Sequence, residues 1–170
     1  MKLIAINASP SYTSKTHAIA AAAVELATDA DGTVLDIGAL DADALLLRGS
    51  HASVAKAVAA IDAADVVVLV TPTYRATYSG LLKVLLDQLP AAALAGKACI
   101  LAATAGGPLH FLSIDTSMRA LVASLDGWSV PTVVYATGSD FDDENRPGQV
   151  VLDTLARALD EARRVVGAAP

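Results

Sequence analysis

The stretch LIAINASPSYTSKT, residues 3–16, runs from a continuous apolar segment straight into a loop of hydroxyls. A helical pattern follows over 15–27. An apolar run without alternation suits a strand covered on both faces, as in a parallel sheet. The loop ends in Ser-Lys-Thr, spaced like the end of a nucleotide-binding P-loop, yet it holds no glycine. The reading of this one β-loop-α unit sets the fold, and the missing glycine sets the functional question.

Further units repeat downstream. Aliphatic or β-branched runs predict strands over 2–7, 33–37, 65–71, 98–103 and 130–135. Helical patterns lie between and after them over 15–27, 50–63, 79–89, 111–125 and 149–166. Alternation of this kind predicts a single α/β domain over residues 1–170, its parallel sheet wound with helices on both sides. The polar segment GSDFDDENRPG from Gly138 reads as the loop before the last helix, and Trp128 as part of a turn before the fifth strand. In such folds ligands sit outside the carboxyl ends of the strands, where the winding reverses. That singles out the loops 8–15, 72–79 and 104–110, which are rich in Ser, Thr, Gly and Pro.

Composition removes several classes. The chain of 170 residues is 54% hydrophobic, largely through alanine, and no apolar run approaches the ~20 residues of a membrane span. Lys2 precedes too short an apolar run for a signal peptide. A single cysteine, Cys99, excludes an internal disulfide and points to a cytoplasmic, reducing setting; its apolar neighbours make it an inert core thiol. The net charge of −6 and the absence of a basic cluster argue against nucleic acid.

In the first loop Ser9 and Ser14 stand where a P-loop has glycines, and serine disfavours the deep wrap around a polyphosphate. Triphosphate hydrolysis is therefore disfavoured, and a monophosphate asks less of the loop. The hydroxyls of Ser9, Ser14 and Thr16, with Lys15 and the helix dipole, are the donors available to it. A helix cap at Ser14 or Thr13 needs no ligand and stands beside that reading. In TPTYRATYSGLLKVLLDQLP, residues 71–90, Pro72 stiffens the strand exit and Thr73 and Tyr74 face outward. Tyr74 offers a wall to a flat heteroaromatic ring, Arg75 a charge to a phosphate or nicotinamide nucleotide, and Ser79 a helix cap. Packed tyrosines at 74 and 78 are the plainer reading. In ATAGGPLH, residues 103–110, Gly106 and Gly107 permit close backbone approach and positive φ, and His110 opens the next helix as either a structural or a ligand-facing group.

These segments, together with ATAGGPLHFLSIDTSMRAL and VPTVVYA, resemble the NAD(P)H-dependent FMN reductase family. The resemblance covers nearly the whole chain, and its most specific part is the P-x-Y-x-x-x-x-S-G segment from Pro72. It implies a flavodoxin-like three-layer sandwich with five parallel strands in the order 2-1-3-4-5. It also implies hydride transfer from a nicotinamide nucleotide to FMN, and the look is closest to members that supply reduced flavin to a separate monooxygenase. Ser9, Ser14, Lys15 and Thr16 match the family's phosphate loop. Pro72, Thr73, Tyr74 and Arg75, with Ser79 behind them, match the segment beside the flavin ring; Thr104, Ala105, Gly106 and Gly107, with His110, match the loop at its polar edge. Some monooxygenase-coupled members carry an extra aromatic residue, linked to a π-bulge, near the position of Thr116. Threonine here leaves open whether FMN stays bound or departs as a substrate.

No nucleophile or metal is needed for such chemistry, which the cofactors carry themselves. Two other readings use the same site: a quinone or azo-dye reductase with bound FMN, and a non-enzymatic electron carrier. Asp36 lacks the G-x-G-x-x-G of a dinucleotide site and reads as structural or solvent-facing. Asp115 and Arg119 read as an i, i+4 ion pair. The apolar surplus in Leu81, Leu82, Val84, Leu85, Leu86 and Leu89 predicts a homodimer or homotetramer.

Overall fold

A computed structural model describes residues 1–49 and 52–167. Five strands, β1 (Lys2–Asn7), β2 (Asp31–Asp36), β3 (Val66–Pro72), β4 (Ala98–Ala105) and β5 (Trp128–Thr137), form one sheet in the order β2-β1-β3-β4-β5. Every neighbouring pair is parallel. The helices are α1 (Lys15–Leu26), α2 (Ala42–Leu45), α3 (Ala52–Asp62), α4 (Gly80–Leu86), α5 (Phe111–Ala123) and α6 (Gln149–Gly167). The expected start of α3 at residues 50 and 51 lies outside the described residues. The one-turn α2 and the 3-10 turn Ile37–Ala39 before it were not foreseen, since four or fewer residues carry no hydrophobic period.

The unbroken apolar strands serve two cores at once. Ile4, Ile6, Val67, Leu69, Cys99 and Leu101 face α3, α4 and α5, whereas their neighbours Leu3, Ala5, Val66, Val68 and Ile100 face α1 and α6. Much of the alanine is spent on the second face: Ala20, Ala22 and Ala23 of α1 and Ala158 and Ala162 of α6 are buried there. On the first face Leu82, Leu85, Leu86 and Leu89 are buried within the chain, with Leu81 and Val84 half-buried against them. The leucine-rich segment thus belongs to its own core, and its apolar surplus is largely consumed there. Cys99 is fully buried, and burial pushes its thiol up to about 12, in keeping with an inert core cysteine. The helix α5 is α-helical throughout, with Thr116 exposed.

One expectation is corrected and another is borne out and extended. Trp128 is not in a turn; it is the first residue of β5, pairs with Ala98 and is 63% exposed on the edge strand. The strand can begin that early because β5 accommodates an irregularity: Cys99 pairs with Ser129 but Leu101 with Val133. Pro131 lies inside this bulge, where the missing N–H costs no ladder bond. The Asp115–Arg119 pair does form at 2.7 Å, but Arg119 does more, donating to the carbonyls of Val130 and Pro131 at 2.8 Å each. From the other face Glu161 accepts from the N–H and hydroxyl of Thr132. The bulge is pinned by one charged side chain from each layer.

Replacing Arg119 with alanine leaves those carbonyls without their donors. It should lower stability by about 1–3 kcal/mol, the scale of losing charge-assisted bonds at a partly buried site. Urea unfolding checks this; a midpoint unchanged from wild type contradicts the pinning.

Candidate functional site

The carboxyl end of β1 builds its turn out of side-chain oxygens. Asn7 Oδ1 accepts from the N–H of Ser9, Ser9 Oγ from the N–H of Ser11, and Ser11 Oγ from the N–H of Thr13, at 3.1–3.3 Å. Each bond spans two residues, as in Asx and Ser/Thr turns. No residue of this loop has positive φ. Ser14 then caps α1, accepting from the N–H of His17 at 3.1 Å. The amides of Lys15 and Thr16, first in the helix, have no intrahelical acceptor and carry the positive end of its dipole.

Behind the loop, Asp36 holds the junction together. It accepts from Asn7 Nδ2 at 2.8 Å and lies 2.9 Å from His17 Nδ1, so its role is structural. Ser79 is buried with its hydroxyl committed: it donates to the carbonyl of Ala8 and accepts from the N–H of Leu82, while its own N–H donates to Thr71 Oγ1. It caps α4 and ties the exits of β1 and β3 together.

The exit of β3 ends in a tight hairpin turn. Tyr74 and Thr77 exchange backbone hydrogen bonds across Arg75 and Ala76, whose φ values are +52° and +65°. Two consecutive left-handed residues are the mark of a type I′ turn, which favours Asn-Gly; here side-chain-bearing residues hold the strained conformation. Ser113 of α5 donates to the carbonyl of Ala76 at 2.8 Å and latches the tip. The loop after β4 is held by Tyr135, whose hydroxyl donates to the carbonyl of Gly107 at 2.7 Å. Burial raises the Tyr135 hydroxyl above its ordinary range. Phe111 packs edge-on against its ring. Positive φ at Gly106 and Gly107, expected from the sequence, does not occur: Gly107 has φ −173°, extended backbone open to any residue. What the glycines supply is room, since a Cβ at either position would meet nothing within 4 Å.

These loops enclose a cleft of about 380 Å³. Ser9, Ser14, Lys15 and Thr16 line it from the first loop, Pro72, Thr73 and Tyr74 from the second, and Thr104, Ala105 and Gly106 from the third. Arg75, Ser79, Gly107 and His110 do not line it. Arg75 sits at the exposed turn tip, Ser79 behind the strands, and His110 exposed at the start of α5. Thr16 Oγ1 and Thr104 Oγ1 are 2.8 Å apart and join the first loop to the third across the floor.

Thr137, the last residue of β5, and Gly138 just after it complete the lining and were missed in the sequence. The rule that placed the other loops at strand carboxyl ends applies equally to the fifth strand. There Asp140 accepts from the N–H and hydroxyl of Thr137 at 2.6 and 2.8 Å. These bonds, the backbone one foremost, hold its carboxyl below the usual Asp range. Lys15 lies 3.5 Å from the carbonyl of Gly138 and over the ring of Phe141.

One atom of the cleft is out of balance. Thr73 Oγ1 is buried and has no hydrogen-bond partner among the described residues. A buried hydroxyl without a partner is costly and calls for an explanation. The combination fits a ligand with a single phosphate at the start of α1 and a polar-edged ring between the second and third loops. Among the described residues no cluster of acids, histidines or cysteines could hold a metal, and no helix is long and apolar enough to cross a membrane.

Residues 1–142 match the family model described as NADPH-dependent FMN reductase. An NADH-dependent FMN reductase of Pseudomonas putida is 36% identical over 101 residues, covering 59% of this chain and 54% of that one. The chain thus spans little more than half the length of such relatives. An NADPH azoreductase of a Bacillus species is 31% identical over 143 residues, covering 81% and 78%. The crystal structure of an NADH:FMN oxidoreductase in its apo form superposes with a TM-score of 0.89 at 34% identity, over 99% of this chain and 91% of that one.

The lowered Asp140 carboxyl has a consequence for pH. Its bonds to Thr137 persist above the ordinary Asp value of about 3.9 and are lost as pH falls through the depressed folded value. The Thr137 amide resonance should therefore titrate with a midpoint below that ordinary value, and should show no such step in Asp140→Ala. A midpoint at or above the ordinary value contradicts the assignment.

Proposed function

The chain belongs to the NADPH-dependent FMN reductase family, and from that premise we propose that it oxidises NADH or NADPH and reduces FMN. The carrying observation is the cleft at the strand ends, with a helix N-terminus and hydroxyls at one end and an unpartnered buried hydroxyl, Thr73 Oγ1, at the other. Ser9, Ser14, Lys15 and Thr16 hold the phosphate, helped by the amides that open α1. Pro72, Thr73 and Tyr74 stand on one side of the ring, and Thr104, Ala105 and Gly106 at its polar edge; Thr137 and Gly138 close the remaining side. Arg75 and His110, exposed near the rim, are placed for the incoming nicotinamide nucleotide rather than the flavin. When bound, FMN supplies the hydride-accepting chemistry, so the chain needs no nucleophile or general base of its own.

The chain's own part is positional. The Thr16–Thr104 contact, the Ser113 latch and the Tyr135–Gly107 bond keep three loops in fixed relation. Such preorganisation lets two rings meet at reacting distance without ordering the loops at the time of reaction. We propose that residues 1–170 act as a single domain in the cytoplasm. Delivery of reduced flavin to a partner monooxygenase is the favoured physiological role. A homodimer or homotetramer is supported by Leu109 and Leu112, 91% and 73% exposed beside the cleft loop. Reduction of azo compounds is the second reading, favoured by the 31% identity to the Bacillus azoreductase.

Mixing purified protein with NADH or NADPH, with and without free FMN, tests the reading. Nucleotide oxidation that requires FMN supports it. No oxidation with FMN, alongside turnover of an azo dye, favours the second reading.

Two variants probe the cleft itself. Thr73→Val removes a hydroxyl that no described residue uses, so thermal stability should hold or rise while FMN affinity falls about five- to tenfold, near 1 kcal/mol. Unaltered affinity removes Thr73 from the site. Gly106→Val meets no clash within 4 Å and should fold normally, yet its side chain borders the cleft and should slow FMN reduction at least about tenfold. Wild-type turnover contradicts the placement of that loop.

A further inference from the structure

We infer that Asp36 is a positioning residue of the phosphate site, acting through Asn7 to set the first loop so that the cleft selects a phosphorylated flavin; this rests on the flavin reading above. Asp36 does not line the cleft, so its effect on a ligand is relayed. It ends β2 directly beside Asn7, its register partner at the end of β1. One oxygen, Asp36 Oδ1, serves both parts of the site: it accepts from Asn7 Nδ2 at 2.8 Å and from His17 Nδ1 at 2.9 Å. The first bond reaches the loop. The second reaches α1, whose opening amides are the anion donors. Loop and helix are thereby held against one another by a single acceptor, on a side chain only 22% exposed.

The relay depends on an ionised carboxylate accepting and never donating. Asn7 is fully buried, and its amide has two unlike ends. Facing Asp36, the amide turns its Nδ2 to the carboxylate, which leaves Oδ1 for the N–H of Ser9 at 3.1 Å. The reversed amide would set Oδ1 against the carboxylate and Nδ2 against that N–H, acceptor on acceptor and donor on donor. Ser9 is buried, lines the cleft and passes the turn on, its Oγ accepting from the N–H of Ser11. Asp36 thus orients a cleft-lining serine through the amide between them. A water in place of the carboxylate could donate as well as accept, so it would not dictate which way the amide turns. The negative charge itself opposes a phosphate nearby. What the site gains from Asp36 is an acceptor fixed in place, and a network in which every member is paired holds its geometry before the ligand arrives.

Steady-state oxidation of NADH or NADPH by the full chain, with FMN and separately with riboflavin, tests this on wild type, Asp36→Ala, Asp36→Asn and Asn7→Val. Asp36→Ala removes the acceptor and should raise KM for FMN about tenfold or more, with KM for riboflavin and both kcat values within about twofold of wild type. Asp36→Asn drops the charge, but its carbonyl oxygen still faces the two donors, and KM for FMN should stay within about threefold. Asn7→Val, similar in size and suited to a strand, breaks the relay at its middle and takes the place of Asp36→Ala if that variant does not fold. An FMN KM within about threefold of wild type in that acceptor-free variant overturns the inference and leaves the flavin reading standing. So does an equal rise for both flavins, which marks a general loosening of the fold. An Asp36→Asn as damaging as Asp36→Ala also overturns it, since the charge rather than the acceptor then matters. Wild type that turns over neither flavin, or both with the same KM, removes the flavin-phosphate reading and the inference with it.

Discussion

The exit of β1 must turn a fully buried strand into a helix within a few residues, with no glycine to relax the backbone. Everything at the site depends on how that turn is made. Oxygens of Asn7, Ser9, Ser11 and Ser14 accept from the N–H groups of Ser9, Ser11, Thr13 and His17, so the chain curls without entering left-handed conformations. The loop leaves the first amides of α1 uncovered, and it presents hydroxyl groups toward them. That suits one phosphate better than three.

The same economy extends outward. Asp36 and His17 brace the base of the turn, Ser79 fastens it to β3, and the Thr16–Thr104 contact fastens it to β4. At the edge of the cleft, left-handed backbone falls on the hairpin tip at Arg75 and Ala76, held by a bond from Ser113. Backbone strain at a ligand-facing loop is sustained only when its surroundings over-determine it, and here the Tyr74–Thr77 backbone pair and Ser113 of α5 do so. The cores beneath, one alanine-rich and one leucine-rich, supply the rigid platform.

Much of this was legible from residues alone because parallel strands buried on both faces leave an unmistakable apolar run, as at residues 66–70. The three loops were legible because hydroxyls, proline and glycine cluster where strands end. The fifth loop was not, since Thr137 and Gly138 sit before an acidic stretch that reads as solvent-exposed. Nor could sequence distinguish a serine that faces a ligand from one that caps a helix: Ser14 lines the cleft while capping, whereas Ser79 only caps. The glycine pair at 106 and 107 misled in a different way. Glycine permits positive φ, but here it provides open space, a distinction that depends on neighbours remote in sequence. Trp128 was misplaced because the β5 bulge is held by Arg119 and Glu161, from helices on opposite layers and remote in sequence.

The central claim is that a glycine-free loop of hydroxyls at a helix start holds a single phosphate. Riboflavin and FMN differ by that phosphate alone, so their relative affinities, measured side by side by fluorescence titration, test it most directly. The account predicts that FMN binds at least about tenfold more tightly, a difference near 1.4 kcal/mol that shrinks as salt is added. Equal affinities for the two would contradict it.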